Sequence, residues 1–301
     1  MTAGAQSPVM PDDAGTRPRV YLFNDTGRAR HAGCRAVMRS INAELESFAQ
    51  IVATHQVGSL ELDEEALQTC DAVVVNGEGS IHHDSPRANF LLCALAKAQA
   101  AGKRTALINA VYQQLHIPPQ GVLARLDFFS VREVRSAAAA RQHGGCPRVL
   151  LDSAADRKRL QPAKALRLTP GVVKGGTHPK ASSADWLKTL EVPQVDLTTG
   201  SLEEIVATLR EAEVYVTGQH HGLYAAALAA VPFVVLPSNS HKIEGLIEWS
   251  GLPIPVIQKQ HEIEQGVAFA RRNASLYREF ADFIATHDVV RAPALRAALG
   301  R

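Results

Sequence analysis

The stretch VYVTGQHHGLYAAALAAVPFVVLPSNSHKIEGL, residues 214–246, carries the pattern that decides the fold. Residues 214–216 (VYV) read as a short strand, 221–230 as an alanine-rich helix, 233–236 (FVVL) as a second strand and 241–250 as a second helix. Strands that are apolar on every residue and alternate with helices are buried on both faces, as in a parallel α/β sheet. Pro232 interrupts the apolar run 223–237, which is too short and too broken to span a bilayer.

The same alternation extends upstream. Segments 19–23 (RVYLF), 72–75 (AVVV), 105–109 (TALIN), 127–131 (DFFSV) and 149–151 (VLL) read as strands, and 31–53, 87–101 and 134–143 as helices. Residues 156–188 are rich in Arg, Lys, Pro and Gly and lack periodicity, so they read as a linker. Beyond it, 194–197 reads as a strand and 201–211 as a helix opened by a Ser201 cap with Glu204 three residues on. Residues 265–287 read as one long helix whose apolar face is expected on the core, with a membrane surface as the alternative for Arg271, Arg272 and Arg278. The expected organisation is a disordered leader at 1–18 and two open parallel-sheet domains, 19–155 and 156–301.

Composition narrows the class. Of 301 residues, 46% are hydrophobic and 21% charged, which fits a globular chain and excludes a disordered or fibrous one. Lys plus Arg number 32 against 30 Asp plus Glu, a net charge of +2, so a strongly basic nucleic-acid binder is not expected. Cys34, Cys70, Cys93 and Cys146 form no CxxC pair, which points to the reducing cytosol rather than a disulfide scaffold. The first 19 residues lack the basic and apolar regions of a signal peptide.

Five polar motifs fall at expected strand ends, where open parallel sheets bind ligands. Asn24, Asp25 and Thr26, with His31 behind them, form the first, which also suits a plain capped turn. Asn76-Gly77-Glu78-Gly79-Ser80-Ile81-His82-His83 is the second. Its Glu78 is a candidate general base or sugar-hydroxyl acceptor, Ser80 a helix cap, and His82 or His83 a candidate acid or base. Asn109 closes a strand in the same way. Arg132 follows another, where a guanidinium can clamp a carboxylate or phosphate or pair with an acidic neighbour such as Glu133. Gln219, His220 and His221 stand at a helix start, a place for an anion or an acid–base group, and Ser238, Asn239 and Lys242 suit an anion at the next. No HExxH, Cys/His metal spacing, P-loop or G-x-S-x-G elbow is present, so neither a metal site nor a cofactor is expected.

Together these motifs, from about Val20 to Gly251, resemble the polysaccharide pyruvyl transferase family, most specifically along 214–246, with NGEGSIHH and FSVRE matching its Gly-rich turn and its Arg-containing strand end. The resemblance implies two Rossmann-like domains arranged as in GT-B glycosyltransferases around a central cleft. It also implies transfer of the enolpyruvyl part of phosphoenolpyruvate to sugar hydroxyls, giving a pyruvate ketal on a glycan or lipid-linked glycan. The enzyme would be cytoplasmic, with room for peripheral contact at the inner face of the membrane. Arg132 and His221 fall on the family's donor contacts, and His221 is a candidate general acid. The family's second Arg falls on Gln219, with His220 beside it, so His220 or Lys242 is expected to supply the missing charge. Two alternatives are a GT-B glycosyltransferase using a nucleotide-activated sugar, such as a CMP-linked acidic one, and a non-catalytic glycan-binding protein.

Overall fold

The computed structural model describes residues 17–116, 121–165, 171–178, 181, 183–198 and 200–300. Most of the expected leader and the loop at Pro118 and Pro119 lie outside these residues.

The first half runs β1 (Arg19–Asp25), α1 (Ala32–Glu46), β2 (Gln50–Gln56), α2 (Glu64–Thr69), β3 (Ala72–Asn76), β4 (Ile81–His82), α3 (Pro86–Ala100), β5 (Arg104–Ala110), β6 (Tyr112–Gln113), β7 (Phe128–Val131), α4 (Val134–Gln142) and β8 (Arg148–Val149). Six strands form a parallel sheet in the order β2-β1-β3-β5-β7-β8, and β4 and β6 pair separately. Because side chains alternate along a strand, Val20, Leu22, Val74, Ala106 and Ile108 enter one apolar core while Tyr21, Phe23, Val73, Val75 and Leu107 enter another. That two-sided burial explains why these strands read as continuous apolar runs. Strand order reverses between β1 and β3, which makes their carboxyl ends the ligand crevice of such a sheet.

The second half runs β9 (Val172–Thr177), α5 (Leu202–Leu209), β10 (Val214–Gly218), α6 (His220–Ala229), β11 (Phe233–Val235), α7 (Lys242–Ser250), α8 (Ile263–Arg272), α9 (Ala274–Thr286) and α10 (Ala292–Leu299). Its three strands are parallel in the order β11-β10-β9. Helix α6 is buried on nearly every residue, and its small alanines let it sit centrally between α5, α7 and α9. Its core is continuous with one face of the larger sheet, and α10 returns to pack on α1, β5 and β7. Polar ties also cross between the two sheets: Ala32 N–H donates to the Leu197 carbonyl at 2.7 Å, Asp152 N–H to the Tyr224 hydroxyl at 3.2 Å, and Arg135 pairs with Glu248 at 2.7 Å.

Several boundaries differ from expectation. The span 31–53 is not one helix: α1 stops at Glu46, and β-branched Ile51, Val52 and Thr54 form edge strand β2. Strand β9 lies inside the expected linker, its VVKGGT sequence masked by a lysine and two glycines. Residues 194–197 contribute only a bridge from Gln194 to Lys174. The long helix at 265–287 is two helices broken at Asn273, although Tyr277, Phe280, Ala281 and Ile284 bury its apolar face as expected. Ser80 caps no helix; Ser85 caps α3 by accepting from Ala88 N–H at 3.1 Å. The Ser201–Glu204 capping box is present at α5. No helix among the described residues is long and apolar enough to cross a membrane.

Candidate active site

The carboxyl ends of β3, β7, β9, β10 and β11, with the first turns of α1, α6 and α7, face one cavity of about 300 Å³ between the two sheets. His31 and Cys34 line it from α1, and Glu78 and Gly79 follow β3. Arg132 follows β7, and Thr177 and His178 lie at the end of β9. Gln219, His220 and His221 come from the start of α6, Ser238 and Asn239 from the loop after β11, and Lys242 from the start of α7.

Glu78 is held more firmly than a loop carboxylate would be. Gly77 makes this possible, because a Cβ there would lie 2.5 Å from that of Ala110. Glu78 itself has φ 32°, a left-handed conformation that costs a non-glycine residue free energy and marks a turn fixed by its surroundings. Its Oε2 accepts from the Thr26 hydroxyl at 2.8 Å and Asn76 Nδ2 at 3.3 Å, and its Oε1 accepts from the Cys34 thiol at 3.0 Å. Asn76 sits in a ladder of buried amides. Asn24 Nδ2 donates to the Asn76 carbonyl at 2.6 Å and to Ser80 Oγ at 3.1 Å, and Asn109 Nδ2 to Asn76 Oδ1 at 3.5 Å. Asn109 Oδ1 also accepts from Ser153 N–H at 3.1 Å.

Arg132 is 2% exposed and pairs with fully buried Asp152, not with Glu133, whose carboxylate instead caps α4 through Arg135 N–H and Ser136 N–H. Burial opposes ionisation of Asp152, but Arg132 above all, with His221, outweighs it and holds the carboxyl well below its usual range. His221 Nε2 lies 3.3 Å from Asp152 Oδ2 and 3.9 Å from Glu78 Oε1, yet has no aligned hydrogen bond to either. His220 is buried against Tyr224, and burial together with Arg132 drives its pKa far below 6.5. Burial thus disfavours the charge His220 was expected to supply in place of the arginine at 219. Lys242 can supply it in part: burial and Arg132 push its pKa down to about 7, and its Nζ donates to Asn239 Oδ1 at 2.6 Å.

The cavity thus brings together His31, Glu78, Gly79, Arg132, Gln219, His220, His221, Ser238, Asn239 and Lys242 from the sequence-derived set. Asn24, Thr26, Asn76, Ser80 and Asn109 lie beneath it as the framework of Glu78, and Asp25 is spent on Gly27 N–H and Gln56. His83 is exposed, its ring 2.7 Å from that of His82 and outside the cavity lining, so the site does not gather it as a catalytic group. His82 bonds the Gly79 carbonyl at 2.9 Å, and burial and His83 lower its pKa to about 4. Sequence reading missed Cys34, Asp152, Thr177 and His178. Cys34 follows His31 by three residues, one helical turn, and Asp152 follows an apolar strand, so both carried a signal. Thr177 and His178 were hidden with β9. Among the described residues, His31, Cys34 and His221 also offer metal-ligand atoms within 4.8 Å of one another.

Solved structures share this architecture at low identity and so speak to the fold alone. A Listeria monocytogenes protein assigned as a UDP-N-acetylglucosamine 2-epimerase superposes with a TM-score of 0.55 at 10% identity, covering 94% of this chain and 95% of its own. S. aureus MnaA, in a co-structure with UDP, gives 0.53 at 10% identity, covering 93% and 95%. The Neisseria meningitidis UDP-GlcNAc 2-epimerase bound to UDP-GlcNAc gives 0.51 at 10%, covering 93% and 98%. The fold is α/β, with two Rossmann-like parallel sheets in a GT-B-like arrangement about the cleft. No curated protein matches the chain. The family model described as polysaccharide pyruvyl transferase matches residues 11–240, which includes both sheets and every residue of the cavity except Lys242. The chain belongs to the polysaccharide pyruvyl transferase family and is a transferase.

Proposed function

We propose that this transferase moves the pyruvyl portion of phosphoenolpyruvate onto hydroxyls of a sugar in a cell-surface polysaccharide precursor, with release of phosphate. The observation that carries the reading is a buried carboxylate, Glu78, 3.9 Å from a buried imidazole, His221, in one cavity with cationic Arg132 and Lys242. Addition of a hydroxyl across the donor's C2=C3 bond requires a proton removed from oxygen and one delivered to C3. Glu78 accepts the first and His221 delivers the second. A second hydroxyl then displaces phosphate from C2 and closes the ketal. Arg132, Lys242, Ser238 and Asn239 face the donor's carboxylate and phosphate. Gln219 brings no charge, so Lys242 carries the burden of the absent guanidinium. The acceptor is a glycan or lipid-linked glycan, reached in the cytoplasm or at the inner membrane face.

The test is a thermal-shift series with phosphoenolpyruvate, CMP, UDP and GDP, followed by detection of phosphate and of a pyruvate ketal on a glycan acceptor. Concentration-dependent stabilisation by phosphoenolpyruvate, with ketal formed, is the expected result. Stabilisation by one nucleotide alone would overturn it in favour of a nucleotide-sugar glycosyltransferase. Glycan binding without product from any donor would make the chain a binding protein.

A further inference from the structure

We propose that His31, Cys34 and His221 form a binding site for a borderline-soft divalent transition metal, zinc above all, with Glu78 as the fourth ligand. Two imidazoles and a thiol select such ions over magnesium or calcium, which require oxygen ligands.

The three side chains offer ligand atoms within 4.8 Å of one another. His221 is 7% exposed and its Nε2, 3.3 Å from Asp152 Oδ2, makes no aligned hydrogen bond. That nitrogen and the Cys34 sulfur converge on the same oxygen, Glu78 Oε1, at 3.9 and 3.0 Å. The convergence is built into the backbone. A Cβ on Gly33 would lie 2.2 Å from the His221 ring, so only glycine lets the first turn of α6 meet the first turn of α1. His31 and His221 have ring centroids 5.2 Å apart, and His31 is the N-cap of the helix that carries Cys34.

With Zn–S near 2.3 Å and Zn–N near 2.0–2.1 Å, the edges of a zinc tetrahedron are about 3.3–3.6 Å. Ligation therefore draws the ligand atoms of His31, Cys34 and His221 together by up to about 1.5 Å, a movement that side-chain rotation can supply. It costs the 3.2 Å bond from Gly33 N–H to His31 Nδ1 if the ion takes that nitrogen. The thiol loses its proton as the metal–sulfur bond forms, and the proton leaves to water, so binding strengthens as pH rises. The proposal stands independently of the reaction above. A bound ion would withhold Glu78 and His221 from proton transfer, which makes the site a brake on any acid–base chemistry there.

The test is a Co²⁺ titration of the full chain, carried without a polyhistidine tag. A thiolate-to-cobalt charge-transfer band saturating at one equivalent is expected, lost in Cys34→Ser and retained in Cys93→Ser. His221→Ala should weaken binding by at least about tenfold, the lower end of what loss of even an outer-shell partner costs. Should Cys34→Ser misfold, alkylation of the unaltered chain decides. Co²⁺ or Zn²⁺, but not Mg²⁺, should protect Cys34 from iodoacetamide while exposed Cys93 and Cys146 react as before. No band, a band that survives Cys34→Ser, or equal Cys34 alkylation with and without metal would overturn the site.

Discussion

The two walls of the cleft follow opposite rules. On the wall from the six-stranded sheet, Asn24, Thr26, Asn76, Asn109 and Glu78 bond one another and the backbone. On the wall from the three-stranded sheet, Gln219 Oε1, both His220 nitrogens and His221 Nε2 are buried without hydrogen-bond partners. Native proteins leave few such groups, because each costs the desolvation of a polar atom. The satisfied wall is therefore scaffold, and the unsatisfied wall is where the free energy of binding is held in reserve. Arg132 belongs to both: its carboxylate partner anchors it, while its Nε has none.

That contrast can be broken by mutation, most severely at its junction. Arg132→Ala takes the guanidinium from the buried Asp152 charge and leaves only the imidazoles of His221 and His220 near it, and urea unfolding should show a loss of about 3–5 kcal/mol. Replacing both residues by apolar ones of similar volume should recover most of it. An activity loss in Arg132→Ala alone thus speaks to folding before it speaks to donor binding. On the scaffold wall, Asn109→Ala strips partners from Ser153 N–H and Asn76, and should cost about 1–3 kcal/mol in the same experiment.

Lys242 sharpens the contrast through pH. Its pKa is lowered from 10.5 to about 7 by burial and Arg132, with Glu78, Glu244 and Cys34 opposing. Between pH 7 and about 10.5 the unfolded chain binds the proton and the folded chain does not, so this residue makes stability rise with pH across that window. Below pH 7 both states hold the proton and the contribution is flat. Lys242→Met should abolish that part of the slope in pH-dependent melts. It should also abolish any strengthening of phosphoenolpyruvate binding as pH falls through 7.

The smallest effect on stability belongs to the unsatisfied wall. His220→Leu removes two unpartnered nitrogens from the interior, so it should change stability by less than about 1 kcal/mol, or raise it. A large loss on chemical unfolding would show that the two walls do not differ as described.

How much was legible follows from the physics of each element. Strands β1, β3, β5, β7 and β10 announced themselves because burial on both faces keeps their runs mostly apolar, with only small or strand-end polar residues such as Thr105 and Ser130. Strand β2, at the sheet edge, and glycine-bearing β9 lack that signature, so one was absorbed into a helix and the other into a linker. The turns between a strand and the next helix gave away ten members of the cavity lining, since those turns face the crevice. Position could not separate a ligand contact from its support. Asn76 and Glu78 lie two residues apart, and only the second reaches the cavity.

The sequence by itself determined the α/β class, the order of its principal elements and the loops that carry polar chemistry. These follow from local periodicity and turn chemistry, which act over a few residues. Only the tertiary structure decided that Arg132 is neutralised by Asp152, that Glu78 and His221 come within 3.9 Å, and that Cys34 joins them. Those facts depend on how two sheets pack across a cleft, and on the absence of a Cβ at Gly33, where two helix starts meet. Charge pairing and burial are properties of that meeting, and no run of neighbouring residues encodes them.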